Sequence, residues 1–301
     1  MDIDFTKLKV NPLRIYGGKN GNKIGVLHQG ETYMLKLPPK PAHNPEMSYT
    51  NGCVSEYVAC HIFQTLGIST QETLLGRYGS KIGVACKDFE TDGFALKDFA
   101  YLKNAIIDSE QNGYGTDLGD ILKTIQEQQI MAFAELEKFF WEMFIGDALL
   151  GNFDRHNGNW GFLINSNTSE VKIAPVFDCG SCLYPQLDEN GMERVLNDTK
   201  EIEKRIFVFP TSAIQQDGKK INYFQFLMET KNKGCLDALK VIGGRIDLTK
   251  IYSVIDETPY ISDTHKLFLK TMIKARKERI IDKALERSKD KRQRKQKEWE
   301  R

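Results

Sequence analysis

The stretch Gly151–Trp160, GNFDRHNGNW, directly follows the apolar run FFWEMFIGDALL at residues 139–150. Apolar residues at intervals of three and four predict that this run belongs to a helix over Ala132–Leu150. The ten residues after the helix include an aspartate, three asparagines, a histidine and an arginine. A loop of this composition at the end of a buried helix indicates a functional site, although a polar turn built on Asx caps is the simpler alternative.

Two predicted strands and a second carboxylate follow this loop. Residues Trp160–Ile164 and Val171–Ile173 are predicted to form a small hairpin, and a short apolar run then ends at Asp178. Asn159 and Asp178 carry hard oxygen ligands of the kind that Mg²⁺ takes together with phosphate oxygens. Asp154 is then free to accept a proton or to orient a nucleophile.

The N-terminal part is predicted to be rich in strands. Strand-like runs separated by turn signals predict a three-stranded antiparallel meander, then a helix, then two more strands. These predicted elements are Leu13–Tyr16, Ile24–His28, Thr32–Leu37, Val54–Leu66, Glu72–Leu75 and Ile82–Cys86. Helix-compatible sequence dominates the rest of the chain. We therefore predict an α+β fold with two lobes, a small β-rich N-terminal lobe (residues 1–90) and a larger, mostly helical C-terminal lobe (residues 91–301).

The N-terminal part also carries residues suited to a nucleoside triphosphate. Lys36, at the end of the third predicted strand, is a cation that can reach phosphates, and Glu56 on the helix can pair with it. Taken singly, the two are better explained as an edge-strand lysine and an exposed helix residue, and only their order along the chain favours the functional interpretation. The turn Tyr16–Gly25, YGGKNGNKIG, can cover phosphates with backbone N–H groups. It lacks the Walker pattern, which excludes a P-loop NTPase.

The order of these residues along the chain is that of phosphoryl transfer on a two-lobed kinase. A glycine turn is followed by a lysine, a glutamate, an aspartate with an asparagine five positions later, and a second aspartate. Chemistry of this type depends on positioning and charge neutralisation. In this interpretation Lys36 and the metal hold the triphosphate, while Asp154 holds the incoming hydroxyl in line.

Four segments resemble the HipA-like serine/threonine protein kinases, over roughly Leu13–Pro185. Residues 145–164, IGDALLGNFDRHNGNWGFLI, are similar to the family's catalytic loop, in which GN-x-D-x-H-x-x-N leads into a strand. Residues 174–185, APVFDCGSCLYP, resemble its metal-binding segment. Residues 17–38, GGKNGNKIGVLHQGETYMLKLP, resemble its nucleotide-loop hairpin, and residues 51–70, NGCVSEYVACHIFQTLGIST, resemble the helix with the partner glutamate.

The resemblance implies phosphorylation of serine and threonine with Mg-ATP, including autophosphorylation. It adds a hinge at Lys87, Asp88 and Phe89, whose backbone would meet adenine. The predicted nucleotide-contacting residues are Gly17, Gly18, Lys19, Asn20, Lys36, Lys87, Asp88, Phe89, His156 and Asn157; the predicted catalytic residues are Asp154, Lys36 and Glu56; the predicted metal ligands are Asn159 and Asp178. The chain length indicates a compact member without the family's extra N-terminal subdomain, of the type that enters host cells, which implies host proteins as acceptors and a role in virulence.

Three features depart from ordinary protein kinases. The order His-Arg-Asp is replaced by Asp154-Arg155-His156, and cysteine follows Asp178 where those kinases carry phenylalanine. No Ala-Pro-Glu motif follows. These departures put the usual regulation through an activation loop in doubt. They leave the acid, amide and acid of the predicted site, Asp154, Asn159 and Asp178, in place.

Other uses of the same residues are less favoured. His156 is interpreted as a buried hydrogen-bonding strut for the loop, in preference to a proton shuttle. Cys179 and Cys182 have redox spacing, but no βαβ unit surrounds them and a proline follows closely. No further ligands lie at the spacing of a zinc site.

Composition bounds the class of protein. The chain has 301 residues, of which 41% are hydrophobic, and this suffices for a sizeable core. Its six cysteines are too sparse for a disulfide scaffold and suit a reducing compartment. We find no signal peptide and no apolar run of membrane-spanning length, which predicts a protein that is cytoplasmic as synthesised. Export by a receptor-read address, into host cells, stays open.

The C-terminal tail is strongly basic. From Lys274 to Arg301 there are 13 Lys and Arg residues against 6 Asp and Glu residues, although the whole chain has a net charge of +1. A solvated helix end is the favoured interpretation, with Leu269, Ile273, Ile280 and Ala284 packing its start against the protein. The alternative is a nucleotide-binding pseudokinase that acts through this tail on DNA or a protein partner. A third possibility keeps the fold and changes the acceptor to a lipid or small molecule.

Overall fold

The computed structural model describes residues 3–17, 23–38, 50–107 and 112–289. Its N-terminal part is an antiparallel five-stranded sheet with the strand order β1-β2-β3-β5-β4. One helix, α1, packs against β4 and β5. The elements are β1 (Lys9–Val10), β2 (Lys23–His28), β3 (Glu31–Lys36), α1 (Gly52–Thr65), β4 (Thr73–Tyr78) and β5 (Lys81–Lys87). The predicted helix and four of the five predicted strands of this part are thereby confirmed.

The first predicted strand was placed wrongly. The short strand β1 pairs with β2, but the predicted residues Leu13–Tyr16 lie outside the sheet. The cause is a turn at Asn11, whose side-chain oxygen accepts a hydrogen bond from the Leu13 N–H while its carbonyl accepts one from the Arg14 N–H. The apolar pattern at 13–16 therefore does not reflect burial in a sheet, and Leu13 and Ile15 are exposed.

The remainder of the chain is mostly helical, which confirms the α+β prediction. A second, three-stranded sheet has the order β6-β7-β8, and its hairpin β7-β8 is the predicted one. The strand β6, which pairs with β7, was not predicted. The elements are β6 (Phe94–Asp98), α2 (Phe99–Ile106), α3 (Leu118–Glu127), α4 (Phe133–Leu150), β7 (Gly161–Asn165), β8 (Glu170–Ile173), α5 (Glu189–Asn197), α6 (Thr199–Phe207), β9 (Gln215–Gln216), β10 (Lys219–Lys220), α7 (Tyr223–Glu229), α8 (Lys233–Arg245), α9 (Leu248–Glu257) and α10 (Asp263–Arg276).

The central helix α4 joins the two parts of the core. Most of its side chains are buried, and it ends at Gly151 in the left-handed conformation that glycine adopts without strain (φ 67°). The Phe63 ring of α1 packs so closely on Gly146 that a Cβ at this position would overlap it. The largest hydrophobic cluster therefore includes residues from both sides of the boundary predicted at residue 90, and that boundary stays a prediction.

The chain after α10 continues helically. A π-helical stretch, Lys277–Asp282, follows directly, and residues 283–289 are again α-helical. The four apolar residues that were predicted to pack the start of the tail are all buried, as expected: Leu269, Ile273, Ile280 and Ala284. The most basic segment, residues 290–301, lies outside the described residues. Over the ranges that the structure describes, no helix combines the length and the apolarity needed to span a membrane.

Substitution at Gly146 tests the packing of α1 on α4. Gly146→Ala should lower the free energy of unfolding, because overpacking against the Phe63 ring costs about 1–3 kcal/mol and outweighs the roughly 1 kcal/mol gained in helix propensity. Gly244→Ala on α8 is the matched control, since no atom lies within 4 Å of a Cβ built there. Urea unfolding should show a lower midpoint for the first variant only. Equal midpoints for the two variants would contradict the packing described.

His265 gives the fold a pH dependence. It is 8% exposed on α10, and burial lowers its pKa to about 4, although Glu189 on α5 opposes this. Between pH 6.5 and 4 the unfolded chain therefore binds more protons, so stability that is present above pH 6.5 is lost as the pH falls. Over this interval wild type should lose up to about 3 kcal/mol more than His265→Gln in urea unfolding. The same pH slope for both proteins would show that His265 does not contribute.

Candidate active site

A cleft of about 930 Å³ lies where the five-stranded sheet meets the loop after α4. This is within the size range of small-molecule sites in proteins. Its lining includes most of the residues that were predicted from the sequence to act on a nucleotide. Those residues are Gly17, Lys36, Glu56, Asp88, Phe89, Asp154, His156, Asn159 and Asp178.

The lysine at the end of β3 is held between two carboxylates. The Nζ atom of Lys36 lies 2.9 Å from Glu56 Oε2 and 3.1 Å from Asp178 Oδ1. The side chain of Lys36 is 16% exposed and that of Glu56 is 2% exposed, whereas Asp178 is 45% exposed and open to the cleft. One ammonium thus connects β3, α1 and the segment that follows β8.

The electrostatics of this trio keep the lysine charged. Burial alone would lower the pKa of Lys36, but the carboxylates of Asp178 and Glu56 outweigh it and raise that pKa well above its ordinary value. The Lys36 ammonium in turn lowers the pKa of Asp178, despite burial. Burial raises the pKa of Glu56, and Lys36 opposes this. The site therefore presents a permanent cation and an ionised aspartate to the cleft.

Glu56 has a second function in the geometry of the site. Its Oε2 binds Lys36, while its Oε1 accepts a hydrogen bond of 3.0 Å from the backbone N–H of Cys179. Asp178 directly precedes that peptide and has a positive φ of 54°, a conformation that aspartate tolerates better than most residues. The glutamate on α1 therefore fixes both the lysine and the strained segment that carries the aspartate.

The loop after α4 brings Asp154 and Asn159 to the opposite wall of the cleft. The Asp154 N–H donates to Asn152 Oδ1 at 3.0 Å, and the Asp154 carbonyl accepts from Asn159 Nδ2 at 2.8 Å. This hydrogen bond uses the amide nitrogen of Asn159. The Asp154 side chain is exposed. Partial desolvation by the surrounding protein still raises the pKa of its carboxyl, and His156 partly offsets this rise.

His156 is half-buried and lines the cleft. Its Nδ1 accepts a hydrogen bond of 3.0 Å from the Gly158 N–H. This contact holds the turn between Asp154 and Asn159, which is the strut that was predicted from the sequence.

Beneath the loop, Arg155 and Asp147 form a buried ion pair. Arg155 Nε lies 3.0 Å from Asp147 Oδ2, and both side chains are 1% exposed. Burial would lower the pKa of Arg155, but Asp147 raises it well above its ordinary value. The same guanidinium donates to the carbonyl oxygens of Asn159, at 2.8 Å, and Phe177. Arg155 thus ties α4 to both segments that carry the proposed metal ligands.

Two further contacts hold the start of the loop. Asn152 Nδ2 donates to Asp147 Oδ1 at 2.8 Å, and the Tyr223 hydroxyl donates to the Asn152 carbonyl at 2.6 Å. Asp147, Arg155 and Tyr223 were not identified from the sequence. A single acid inside the apolar run IGDALL was a signal for Asp147, because a buried carboxylate needs a partner. Nothing in the pattern around Tyr223 pointed to the loop.

Part of the predicted hinge is already hydrogen-bonded within the protein. The Lys87 and Asp88 N–H groups donate to the carbonyls of Glu72 and Thr32, and the ammonium of Lys87 lies beside Glu31 and Glu72. Lys87 is not part of the cleft lining, whereas Asp88 and Phe89 are. Over the described part of the chain, the Phe89 N–H makes no hydrogen bond, so it is the hinge donor left for a ligand.

The segment before the glycine turn is tied to this hinge. The Asp88 carboxylate accepts a hydrogen bond of 2.7 Å from the Tyr16 hydroxyl and lies 3.0 Å from Arg14 Nε. Arg14 also pairs with Glu90 at 2.7 Å. The side chain of Asp88 is therefore committed to holding residues 14–16 along the edge of the cleft.

Asn157 and three residues of the glycine turn were also predicted to contact the nucleotide. The side chain of Asn157 is buried outside the cleft lining, where Nδ2 donates to the carbonyls of Gly113 and Gly115 at 2.8 Å each. The prediction that Asn157 contacts the nucleotide was therefore wrong, because the amide is used up in fixing the loop. The predicted residues Gly18, Lys19 and Asn20 lie outside the described residues.

The cysteine pair is not a disulfide. Cys179 and Cys182 are both buried and reduced, as are the other four cysteines. Within the described ranges, no group of three or more His, Cys, Asp or Glu side chains is arranged to hold a metal ion.

Comparison with known proteins assigns the family. Residues 7–225 match the family model described as HipA-like C-terminal domain. The chain belongs to this family. The HipA-like chain is 56% identical over 281 residues to the serine/threonine-protein kinase CtkA of Helicobacter pylori strain J99, covering 93% of this chain and 86% of that protein. It is therefore similar in length to a compact relative.

Solved structures agree with this assignment. The crystal structure of the Helicobacter pylori proinflammatory kinase CtkA superposes with a TM-score of 0.90 at 53% identity, covering 95% of this HipA-like chain and 98% of that chain. HipA from Shewanella oneidensis MR-1, in a complex with HipB and operator DNA, has a TM-score of 0.54 at 15% identity, covering 92% and 70% of the two chains. The second likeness shows the kinase-like fold alone.

The buried pair beneath the loop can be tested by unfolding. Arg155→Met should lower the free energy of unfolding by about 3–5 kcal/mol, because it leaves Asp147 buried without a counter-charge. The double variant Asp147→Leu/Arg155→Met should recover a substantial part of this loss. Urea denaturation of the three proteins measures both effects. A single variant within 1 kcal/mol of wild type would show that the pair contributes little to the loop.

Proposed function

We infer that this chain is a serine/threonine protein kinase, and we propose that it transfers the γ-phosphoryl group of Mg-ATP to a protein hydroxyl. The observation that carries the proposal is the convergence of Lys36, Glu56, Asp178, Asp154 and Asn159 on one cleft. A cation, a metal-binding pair and an unpaired carboxylate around one space are the parts that phosphoryl transfer requires. The 56% identity to a protein named as such a kinase supports the acceptor class.

The residues present fit a magnesium ion. Asn159 offers an amide oxygen and Asp178 an ionised carboxylate, and both line the cleft together with Lys36. Mg²⁺ is commonly bound by one or two protein oxygens together with water and substrate phosphates, so a larger acidic cluster is not needed. When bound, the ion would neutralise charge on the β- and γ-phosphates. Asn159 and Asp178 are the residues that we propose hold it.

The protein's own residues would then act by positioning. Lys36 contacts the phosphates, and Glu56 holds its ammonium in place. The Phe89 N–H would bind the adenine edge, and Gly17 and His156, which line the cleft, would lie beside the bound nucleotide. Lys36, Glu56, Phe89 and His156 all line the cleft.

Asp154 is proposed to hold the acceptor hydroxyl. The hydroxyl oxygen attacks the γ-phosphorus, the bond from that phosphorus to the β–γ bridging oxygen breaks, and ADP leaves. The hydroxyl proton passes to the Asp154 carboxylate. The raised pKa of Asp154 makes its carboxylate better suited to accept and release a proton than an ordinary aspartate.

Several narrower statements rest on the resemblance alone. Autophosphorylation, host proteins as acceptors, export into host cells and a role in virulence stay predictions. The alternative of a pseudokinase that acts through its basic tail has its motive in the net charge of residues 274–301, of which residues 290–301 lie outside the described part. The acceptor panel described below distinguishes transfer to a lipid or small molecule from transfer to a protein.

The proposal predicts which substitutions abolish transfer. Asp154→Asn, Asp178→Asn and Lys36→Met should each reduce transfer from labelled ATP by at least about 100-fold, as expected for groups acting in the transition state. Matched controls are Asp92→Asn, an exposed aspartate outside the cleft lining, and Lys81→Met at the exposed start of β5. Both controls should retain activity.

The assay uses purified full-length chains with Mg²⁺, or with EDTA, and a panel of serine and threonine proteins, lipids and small alcohols. Thermal unfolding of each variant confirms that it is folded. Equal transfer by wild type and all three cleft variants would end the proposal, as would transfer that proceeds undiminished in EDTA. Transfer to lipids but not to proteins would replace the acceptor class and keep the chemistry.

A further inference from the structure

The first turn of α2 is docked on the backbone on either side of Asn159. The Ala100 N–H donates to the Asn157 carbonyl at 3.1 Å, and the Phe99 N–H donates to the Trp160 carbonyl at 2.8 Å. The N–H groups in the first turn of a helix have no partner within the helix, so they are available to hold a neighbouring segment. The indole of Trp160 also stacks on the Phe99 ring, with the ring centroids 4.0 Å apart. Two backbone contacts thus bracket the residue that is proposed to bind Mg²⁺.

The side chain of Asn157 fastens the same stretch of the loop to a second segment. It is 1% exposed, and its Nδ2 donates to the carbonyls of Gly113 and Gly115 at 2.8 Å each. Gly113 has a φ of 79°, and a Cβ built on it would overlap the Ala100 carbonyl. Residues 113–115 are therefore packed directly against α2, and Asn157 joins the loop to both.

Lys103, one turn further along α2, completes this arrangement. Its ammonium donates to the Gly115 carbonyl at 2.8 Å and lies 3.2 Å from Asp120 Oδ2. The side chain of Lys103 is 1% exposed. The Gly115 carbonyl thus accepts one hydrogen bond from Lys103 and one from Asn157. This oxygen connects the helix to the loop that carries the proposed metal ligand.

An ion pair alone does not account for the burial of Lys103. Its partner Asp120 is 46% exposed, and ion pairs at the surface contribute only about 0–1 kcal/mol. Taking an ammonium out of water costs on the order of several kcal/mol. A methionine would fill a similar space without that cost, so the ammonium is better explained by the Gly115 carbonyl that it holds.

We propose that Lys103 is a positioning residue for the metal ligand Asn159. It acts through the Gly115 carbonyl and the Asn157 side chain, which fix the backbone that carries Asn159 and so place its amide oxygen to bind Mg²⁺. The inference rests on the proposed kinase function and gives a part in it to a residue outside the cleft lining. Arg155 donates to the Asn159 carbonyl itself, whereas Lys103 acts on the backbone that precedes it.

The test measures metal affinity separately from turnover. Purified full-length wild type, Lys103→Met, Asn157→Ala and the double variant are titrated with Mn²⁺ in the presence of a non-hydrolysable ATP analogue, and free Mn²⁺ is measured by EPR. The Mg²⁺ concentration for half-maximal phosphoryl transfer and the KM for ATP at saturating Mg²⁺ are measured on the same proteins. Asp120→Asn is the matched control, since it removes the charge beside Lys103 and leaves the contact with Gly115.

Lys103→Met should weaken Mn²⁺ binding about tenfold, the lower end of the roughly 10–100-fold effect of residues that support a metal ligand. The half-maximal Mg²⁺ concentration should rise to the same extent, while the KM for ATP at saturating Mg²⁺ stays that of wild type. The double variant should bind Mn²⁺ no more weakly than Asn157→Ala, because both side chains act on the Gly115 carbonyl. Asp120→Asn should match wild type.

Lys103→Met should remain folded, and thermal unfolding checks this. The substitution leaves Asp120 without its partner, but this carboxylate is 46% exposed and can be hydrated. The Gly115 carbonyl keeps its hydrogen bond from Asn157. If the variant is nevertheless unfolded at the assay temperature, Lys103→Gln takes its place with the same expected loss, because its side chain is one bond shorter and loses the contact with Gly115.

Wild-type Mn²⁺ affinity in Lys103→Met, or an equal loss in Asp120→Asn, would overturn the inference while leaving phosphoryl transfer intact. Additive losses in the double variant would also overturn it, as would slower transfer with unchanged Mn²⁺ affinity, since Lys103 would then not act on Asn159. If wild type neither binds Mn²⁺ together with the analogue nor transfers phosphate, the proposed function itself fails and the inference fails with it.

Discussion

The arrangement of the cleft depends on one buried ammonium. Lys36 reaches from the end of β3 to carboxylates on α1 and on the segment after β8, at 2.9 and 3.1 Å. Burying a charge is costly unless it is paired, so these three elements are stable together only when the two acids meet the lysine. The functional alignment of the cleft and its stability thus follow from the same interaction.

A second buried pair performs the corresponding task for the loop after α4. Arg155 uses its fork of donors to reach Asp147, the Asn159 carbonyl and the Phe177 carbonyl. Arginine suits this position because its planar group makes several directed hydrogen bonds and stays charged when buried. Asp154 and Asp178 are therefore set at their distance from one another by a side chain that touches no substrate.

The walls of the cleft come from different parts of the chain. One wall is built from the five-stranded sheet, where the Asp88 carboxylate holds residues 14–16. The loop after α4 contributes Asp154, His156 and Asn159 to the lining. Outside the lining, hydrogen bonds from Tyr223 and Gln215 hold the chain around the small hairpin β9-β10 to Asn152 and Thr116.

The sequence by itself determined most of the local elements and indicated the chemistry proposed for the site. Apolar spacing predicted α1 and α4, strand-like runs between turn signals predicted β2 and β3, and the order of lysine, glutamate and acids indicated phosphoryl transfer. These signals are local because periodicity and residue type are properties of short segments. A strand at residues 13–16 and a nucleotide contact at Asn157 were predicted wrongly. The turn at Asn11 keeps residues 13–16 out of the sheet, and the Asn157 amide donates to backbone carbonyls instead.

Only the tertiary structure decided which side chains act on one another. The pairing of Asp147 with Arg155, of Tyr223 with Asn152 and of Gln215 with Thr116 joins residues whose separation in the chain carries no pattern. Whether a lysine is a surface charge or part of a site depends on what the fold places beside it. Lys36 and Lys220 look alike in the sequence, and burial between two carboxylates distinguishes the first from the exposed second.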